Sequence, residues 1–424
     1  MSSGRSSRPT SQRIRFRTDF EKQVIVSNFE RRGWAPCQAE YDWNVYWASV
    51  GNVKQWFNPE SGIRLADDQV ISHFPNHWEL TRKDMMVKNL KRYRKDAEKA
   101  LVLLHGDRNA EAVTSAMSEL DFLPTTYSLP ADYSLFVEEF RRNGSQTWIV
   151  KPANAAQGRG IFLINKLSQV KKWANSRQLG AGGPRDSYIV SRYVDDPMLV
   201  GGKKFDLRLY VLVTSYRPLK AYMFKWGFAR FCATLYSSDS RDLDNREIHL
   251  TNVSVQKHSD EYNEEHGNKW DYRNFLLHVE STRGTAVRAK MEAGIKSCMR
   301  NSLKSCQNVM INDRHCFEMY GFDVLLDAQL KPWLIEVNAS PSLAATTKSD
   351  RQMKTQLIGD VLRIVVPPGF PDNLTRPNGR PGAKDSEQNL GGFELLLDEA
   401  AEAESARDRH VDEMMRRGTK GWTK

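Results

Sequence analysis

Two carboxylates and an amide come closest to a recognisable chemistry in this chain. Residues 317–343 read FEMYGFDVLLDAQLKPWLIEVNASPSL, which is two strand patterns separated by a short turn. With the turn centred between Gln329 and Leu330, Asp323 lies opposite Glu336, and facing residues in such a pair sit about 5 Å apart at Cβ. Two carboxylates that close destabilise each other unless a cation or a proton lies between them. On the second strand, Glu336 and Asn338 are predicted on one face and Trp333, Ile335 and Val337 on the other. Asn338 thereby adds a neutral oxygen beside the acids. Three hard oxygen ligands on a rigid hairpin suit Mg²⁺, which keeps some waters and takes other ligands from nucleotide phosphates. A solvent-facing strand pair with unrelated acids is the alternative.

Other residues have the chemistry of a phosphate site. The strand pattern TWIVKP, residues 147–152, delivers Lys151 at its end. Residues 153–160, ANAAQGRG, follow as a flexible loop that includes Gln157 and Gly158. Backbone N–H groups of such a loop can close over phosphates, although a plain hairpin has the same composition. In residues 204–211, Lys204, Asp206, Arg208 and Tyr210 alternate with Phe205, Leu207, Leu209 and Val211. The apolar set is predicted to face the core. The charged set lines either a solvated face or a ligand cleft, where Arg208 can clamp a carboxylate or phosphate. Arg230, Lys269 and Lys354 stand out as further cations, each readable alone as a surface charge. Thr251 and Asn252 are short polar groups suited to a sugar, a metal or an ordinary turn.

These residues need elements to position them. Residues 81–100 read as a helix capped by Thr81 with Asp84 three positions later, its buried stripe being Met86, Leu90, Tyr93 and Ala97. It holds eight basic and three acidic residues, half of the chain's net charge of +10. Lys88, Lys91, Arg92 and Lys95 lie off the apolar stripe. They form either a solvated face or an electrostatic footprint for an acidic polymer. The 424 residues exceed one core and imply two or three domains. Residues 1–12 are predicted to be disordered, and 13–75 to be an N-terminal α/β unit rich in aromatics. A central unit covers 76–194, interrupted by a Gly-rich surface loop at 179–185. A third unit, 195–371, contains alternating strands and a long helix near 287–310. Residues 372–424 are expected to be linker and tail. Pro, Gly and Asn dominate 367–382, and a helix at 394–417 runs from acidic to basic. The five cysteines show no CxxC spacing, so neither a zinc site nor a disulfide framework is implied. The Ser- and Arg-rich start does not read as a secretory signal. No apolar run reaches the roughly 18 residues of a membrane span. Positive charge alone admits nucleic acid as a partner, but no zinc or RNA-binding motif supports it.

The motifs KNLKRYRK, WIVKPA, GRGIFLI, KFDLRLYVLV, HLTNVSVQKH, FEMYGFDVLLD and WLIEVNASPSL, in this order, resemble the tubulin tyrosine ligase-like family over residues 72–368. That family is similar in fold to the ATP-grasp ligases. The resemblance implies an α/β (α+β), ATP-grasp-like fold of three domains, with the nucleotide cleft between the central and C-terminal ones. It implies that Lys151 meets the ATP phosphates under Gln157 and Gly158. Ser191, Arg192, Tyr193 and Val194 become the adenine hinge, and Lys204, Phe205, Asp206, Thr251 and Asn252 complete the nucleotide pocket. Asp323, Glu336 and Asn338 become Mg²⁺ ligands, with two ions expected, and Arg208 and Glu336 the catalytic residues. Arg230, Lys269 and Lys354 hold the incoming amino acid. Three cations there favour glutamate, with two carboxylates, over glycine or tyrosine with one. The implied activity is ATP-dependent ligation of glutamate to acidic tubulin tails through an acyl phosphate. Gln157 implies a bias towards elongating chains. Implied partners are tubulin tails, microtubules and accessory subunits of a polyglutamylase complex, without nucleic acid or membrane. The implied places are cytoplasm, cytoskeleton, and the axoneme and basal body of a cilium or flagellum. A glycine or tyrosine ligase of the same fold, or a non-catalytic microtubule-binding subunit, is the alternative.

Overall fold

The structure, a computed structural model, describes residues 13–105, 110–144, 146–176, 187–263, 267–366 and 389–407. The expectations for 1–12, 179–185, 367–382 and 408–417 lie outside the described residues. The first strands are β1 (Arg15–Thr18), β2 (Ala35–Pro36), β3 (Val45–Trp47) and β4 (Val70–Ser72). Next come β5 (Thr126–Leu129), β6 (Trp148–Pro152), β7 (Phe162–Ile164) and β8 (Tyr188–Arg192). The last are β9 (Leu199–Val200), β10 (Lys203–Tyr216), β11 (Leu219–Phe231), β12 (Lys269–Asp271), β13 (Cys316–Leu326), β14 (Pro332–Asn338) and β15 (Phe393–Asp398).

Two sheets result. β5-β8-β6-β7 is antiparallel and closes over its own core of Phe136, Phe140, Trp148, Val150 and Tyr188. The larger sheet has eleven strands, ordered β12-β11-β10-β13-β4-β3-β1-β2, with β14 on β13, β15 on β11 and β9 on β10. Alternation in β10 sends Phe205, Leu207, Leu209, Val211 and Val213 into one core. The helices Tyr272–Arg283 and Thr285–Gln307 cover that face through Phe275, Val279, Met291, Ile295 and Leu303. Tyr210 and Leu212 join Tyr222, Phe224, Phe317 and Met319 on the opposite face. Helices Gln23–Arg31 and Lys348–Val365 pack there through Phe29, Leu357, Ile358 and Val361. The sheet is therefore apolar on both faces and covered on both.

Several expectations change. The strands of residues 13–75 join the large sheet, because β4 pairs parallel to β13 with Cys316 opposite Ile71 and Phe317 opposite Ser72. In the expected linker and tail, Phe393–Asp398 is a strand on β11, with Lys220 opposite Asp398. The Phe393 ring packs 4.9 Å from Phe224, which anchors it. Among the described residues helix follows over 399–407, starting after the strand and not at 394. Thr81 does not cap the long helix. It closes a separate short helix, Trp78–Thr81, and its Oγ1 donates to the His77 carbonyl. The long helix is Lys83–His105, and its buried stripe is Met86, Val87 and Leu90, with Tyr93 and Ala97 half-buried. No helix among the described residues is long and apolar enough to cross a membrane.

Candidate active site

The alternation that buries Phe and Leu on one face of β10 puts charge on the other, and register lines that charge up across strands. One row runs Lys269–Arg230–Asp206 over β12, β11 and β10. The next runs Phe228–Arg208–Asp323–Glu336 over β11, β10, β13 and β14. Asp323 thus faces Glu336, as the turn placement predicts. What lies against Asp323 is a pair of arginines. Arg208 grips it bidentately, with Nη2 to Oδ2 at 2.9 Å. Arg230 donates to Asp323 Oδ2 at 2.8 Å and to Asp206 Oδ1 at 2.8 Å. Burial alone raises the Asp323 pKa, but the two guanidiniums outweigh it and hold the carboxyl well below the usual range.

β14 is not regular. The register slips between Asp323 and Val324, so Ile335 is an extra residue, a β-bulge. The alternation predicted for Trp333, Ile335 and Val337 is broken there. Leu334 and Val337 are buried, Trp333 is half-exposed, and Ile335 lines the cleft beside Glu336. Glu336 Oε2 meets Lys83 Nζ at 3.0 Å, and its Oε1 accepts from Asn338 Nδ2 at 3.3 Å. Among the described residues, no group of three His, Cys, Asp or Glu is gathered for a metal. The set here is two carboxylates and one amide, neighbours on one hairpin. That hard-oxygen set fits Mg²⁺, which commonly uses one or two carboxylates and completes its shell with water and phosphate.

One cavity between the two sheets gathers most of the expected nucleotide residues. Lys151, Gln157, Gly158, Ser191, Arg192, Tyr193, Val194, Lys204, Asp206, Thr251 and Asn252 all line it, with Asp323 and Glu336. Its apolar walls include Met86, Val87, Ile149, Ile189 and Leu250. Phe205 is the exception. By strand alternation its ring points to the far side of the sheet, 5.2 Å from Phe231 and 5.1 Å from Phe275. Lys204 Nζ donates to the Tyr193 hydroxyl at 2.7 Å and to the His249 carbonyl at 3.1 Å. Burial pushes the ammonium pKa of Lys151 and of Lys204 down to about 8.

The loop after β6, read as flexible, is held by its carbonyls. Lys83 Nζ donates to Ala155 at 2.9 Å, Ser254 Oγ to Gln157 at 2.9 Å, and Arg246 to Gly158. Gln157 and Gly158 both have positive φ, +62° and +72°. A Cβ on Gly158 would stand 3.1 Å from Val255 and 3.2 Å from Asn252, so the position favours glycine on both counts.

The three cations expected around an amino acid are not equivalent. Arg230 is already shared between two acids. Lys269 and Lys354 converge on buried Asp350, at 3.1 Å and 2.7 Å. They also lie over the Phe228 ring, 5.3 Å and 5.8 Å from its centroid. Burial lowers the Lys354 pKa and Asp350 partly restores it. Lys83 and Asp350 are members that sequence reading missed. Lys83 precedes Met86 and Val87 by three and four residues, so it falls in the apolar stripe, where a lysine needs a buried partner. Asp350 lies one turn before Lys354 on its helix. Together Lys83, Lys151, Lys204, Arg208, Arg230, Lys269 and Lys354 face Asp206, Asp323, Glu336 and Asp350: seven cations against four carboxylates.

On the long helix, Lys88, Lys91, Arg92 and Lys95 are exposed. Lys91 Nζ lies 3.6 Å from Asp132, and Arg92 donates to the Ser305 carbonyl at 3.2 Å. Arg82 is engaged with Asp84, and Lys83 points into the cleft. The basic surface is therefore smaller than the count of eight.

Residues 62–374 match the tubulin-tyrosine ligase family. The chain is 51% identical over 399 residues to the probable alpha-tubulin polyglutamylase Ttll1 of Tetrahymena thermophila, covering 92% of this chain and 94% of that one. It is 39% identical over 413 residues to the probable tubulin polyglutamylase TTLL9 of Rattus norvegicus, covering 90% and 83%. It is 35% identical over 355 residues to the tubulin polyglutamylase TTLL5 of Homo sapiens, covering 80% of this chain and 25% of that one.

Proposed function

This chain belongs to the tubulin-tyrosine ligase family, and from that premise we propose that it is an ATP-dependent tubulin polyglutamylase. The relatives named as polyglutamylases support the activity. The observation that bears on the choice of amino acid is the cluster of Arg230, Lys269 and Lys354 beside Arg208, four cations held by the three carboxylates of Asp206, Asp323 and Asp350, which leaves a cationic surplus for an acidic ligand.

In this reading a glutamate carboxylate of the acceptor attacks the γ-phosphorus of ATP. The bond from that phosphorus to the β–γ bridging oxygen breaks, ADP leaves, and an acyl phosphate forms. The amine of free glutamate, having lost its ammonium proton, then attacks the acyl carbon. Phosphate leaves with the electron pair of the C–O bond, and an amide remains. Lys151 holds the phosphate chain with Lys83 beside it, backbone groups of residues 191–194 hold the adenine, and Lys204, donating to the Tyr193 hydroxyl, lies at that end of the pocket. Thr251 and Asn252 lie along the sugar. Arg208 neutralises charge gathering on the transferred phosphoryl group, and Asp323 fixes its orientation. Arg230, Lys269 and Lys354 bind the two carboxylates of glutamate. Two Mg²⁺ ions on Asp323, Glu336 and Asn338 would supply neutralisation and alignment of the phosphates. Gln157 gives an elongating bias. Tubulin tails on microtubules are the acceptors and accessory subunits the partners, with the cytoskeleton, axoneme and basal body as the places of action. The test is incubation with ATP, Mg²⁺, microtubules and labelled glutamate, glycine or tyrosine, with and without accessory subunits. ATP-dependent incorporation of glutamate alone is expected. Preferred incorporation of glycine or tyrosine overturns the reading.

A further inference from the structure

A second cavity, of about 170 Å³, lies outside the charged cleft. Phe20, Trp47, Phe317, Met319 and Leu343 make its walls apolar, and Lys22 and Ser342 stand exposed at its rim. It shares a sheet face with the reaction centre. Residues two apart on β13 point the same way, so Asp323, Gly321, Met319 and Phe317 form one column, and Met319 lies about 13 Å from Asp323 along the strand. The segment 339–344 is the partition. A Cβ on Gly321 would fall 2.8 Å from Pro341 and 3.3 Å from Arg208, so Pro341 and Arg208 pack side by side over Gly321. Lys354 donates to the Ala344 carbonyl at the end of this segment, while Ala339–Leu343 line the cavity.

The polar edge of this cavity is fixed. His73 adopts φ +79°, a left-handed conformation uncommon for a non-glycine residue. Its Nδ1 pairs with fully buried Glu318, and its Nε2 lies 3.5 Å from Ser340 Oγ. Glu318 is held in turn by the Phe74 N–H at 3.0 Å. The cavity thus offers apolar walls, a hydrogen-bonding edge and one rim cation. It is too poor in cations for nucleotide phosphates or a free dicarboxylic amino acid, and its chemistry suits a peptide.

We propose that this cavity is a subsite for the acceptor chain. It takes an apolar side chain of the acidic acceptor peptide, while Lys22 pairs with a neighbouring carboxylate. The proposal rests on the polyglutamylase reading. An extended peptide advances about 3.3 Å per residue and must pass over the 339–344 partition, so the side chain it takes stands at least about four residues from the glutamate held at Arg208.

The test uses the full chain and labelled acidic peptides that carry one acceptor glutamate and one leucine, moved from one to six residues away. Binding is read by fluorescence anisotropy and transfer by labelled glutamate on the same peptides. Wild type is expected to favour leucine at one position four or more residues away by roughly tenfold in Kd, the order expected for burying one apolar side chain. Ser342→Trp, which fills the mouth, should erase that preference and leave ATP affinity unchanged. Lys22→Glu should weaken all the acidic peptides while keeping it. Equal affinity for every leucine position, or a preference that survives Ser342→Trp, overturns the subsite. Transfer without positional preference overturns the subsite alone. Positional binding without transfer supports the subsite and counts against the ligase reading.

Discussion

Burial sets the protonation of Lys151, which the proposed reading places on the ATP phosphates in its charged form. Its ammonium pKa is pushed down to about 8 in the free protein. Phosphate would raise it on binding, because an adjacent anion favours the cation. ATP affinity should therefore fall as pH rises above about 8. Lys151→Arg keeps its charge at all these pH values, so it should make the decline shallower by one proton. Calorimetric ATP titrations from acidic to basic pH check this, and an unchanged decline in Lys151→Arg would refute it. Glu336 carries a second prediction. Glu336→Gln keeps the shape but removes the charge that faces Lys83 and would face the proposed metal. Circular dichroism should show a retained fold, with a loss of about 1–3 kcal/mol of stability. Turnover should fall by about two to three powers of ten. Near-normal glutamate incorporation by the folded variant would remove Glu336 from the metal site. Of these residues, Asp323, Glu336 and Lys151 are legible in the sequence because they end or face strand patterns. Lys83 was not, since its helix announces itself by a run of positive charge and a lysine in the apolar stripe is easily counted with the rest.

Elements bring the proposed amino-acid site together from four places in the chain. β11 and β12 set Arg230 opposite Lys269, β10 supplies Arg208, and the Lys348–Val365 helix brings Asp350 and Lys354. Thr347 caps that helix by accepting from the Asp350 N–H at 3.1 Å, so the cap and the site share a residue. Lys269→Ala should weaken glutamate binding by about 1.5–3 kcal/mol, the worth of a charge-assisted contact, and raise the KM for glutamate more than that for ATP. A change confined to the ATP constant would move Lys269 to the nucleotide site. The phosphate loop carries its own prediction. Its carbonyls are clasped by Lys83, Ser254 and Arg246, so the backbone at Gln157 is fixed beside the proposed phosphate site. A neutral amide there suits a glutamate chain already projecting, whereas a cation would pull an internal γ-carboxylate into line. Mass spectrometry should show long chains on pre-glutamylated peptides and few new branches on unmodified ones. Mainly single-glutamate branches would reverse the assignment. The strict alternation of β10 is readable directly, and so is the Asp323–Glu336 register. The bulge at Ile335 is not, because periodicity assumes an unbroken pleat. β15 was misread because FELLLD, a short apolar run beside acids, fits a helix as well as a strand.

At the scale of the whole molecule, pairing partners lie far apart in sequence and leave no local trace. β4 joins β13 across most of the chain, so the N-terminal unit and the C-terminal strands share one sheet, where periodicity alone separates them. Charge is different, because it sums over the surface whatever the topology. The net +10 suits an acidic partner surface, and the Lys83–His105 helix presents part of that charge on an exposed face. Lys88, Lys91 and Lys95 lie away from Met86, Val87 and Leu90, so reversing them spares the core. At physiological salt exposed charges act over roughly 8 Å, so single reversals should do little and several must act together. Lys91 already lies beside Asp132, and its reversal sets two acids facing each other as well as removing a cation. Lys83, on the same helix but inside the cleft, is left in place, so ATP affinity should hold. The combination Lys88→Glu, Lys91→Glu and Lys95→Glu should weaken co-sedimentation with microtubules and flatten its salt dependence. If the triple variant co-sediments like wild type at both low and high salt, the docking surface is not this helix, and an accessory subunit carrying its own basic face becomes the anchor.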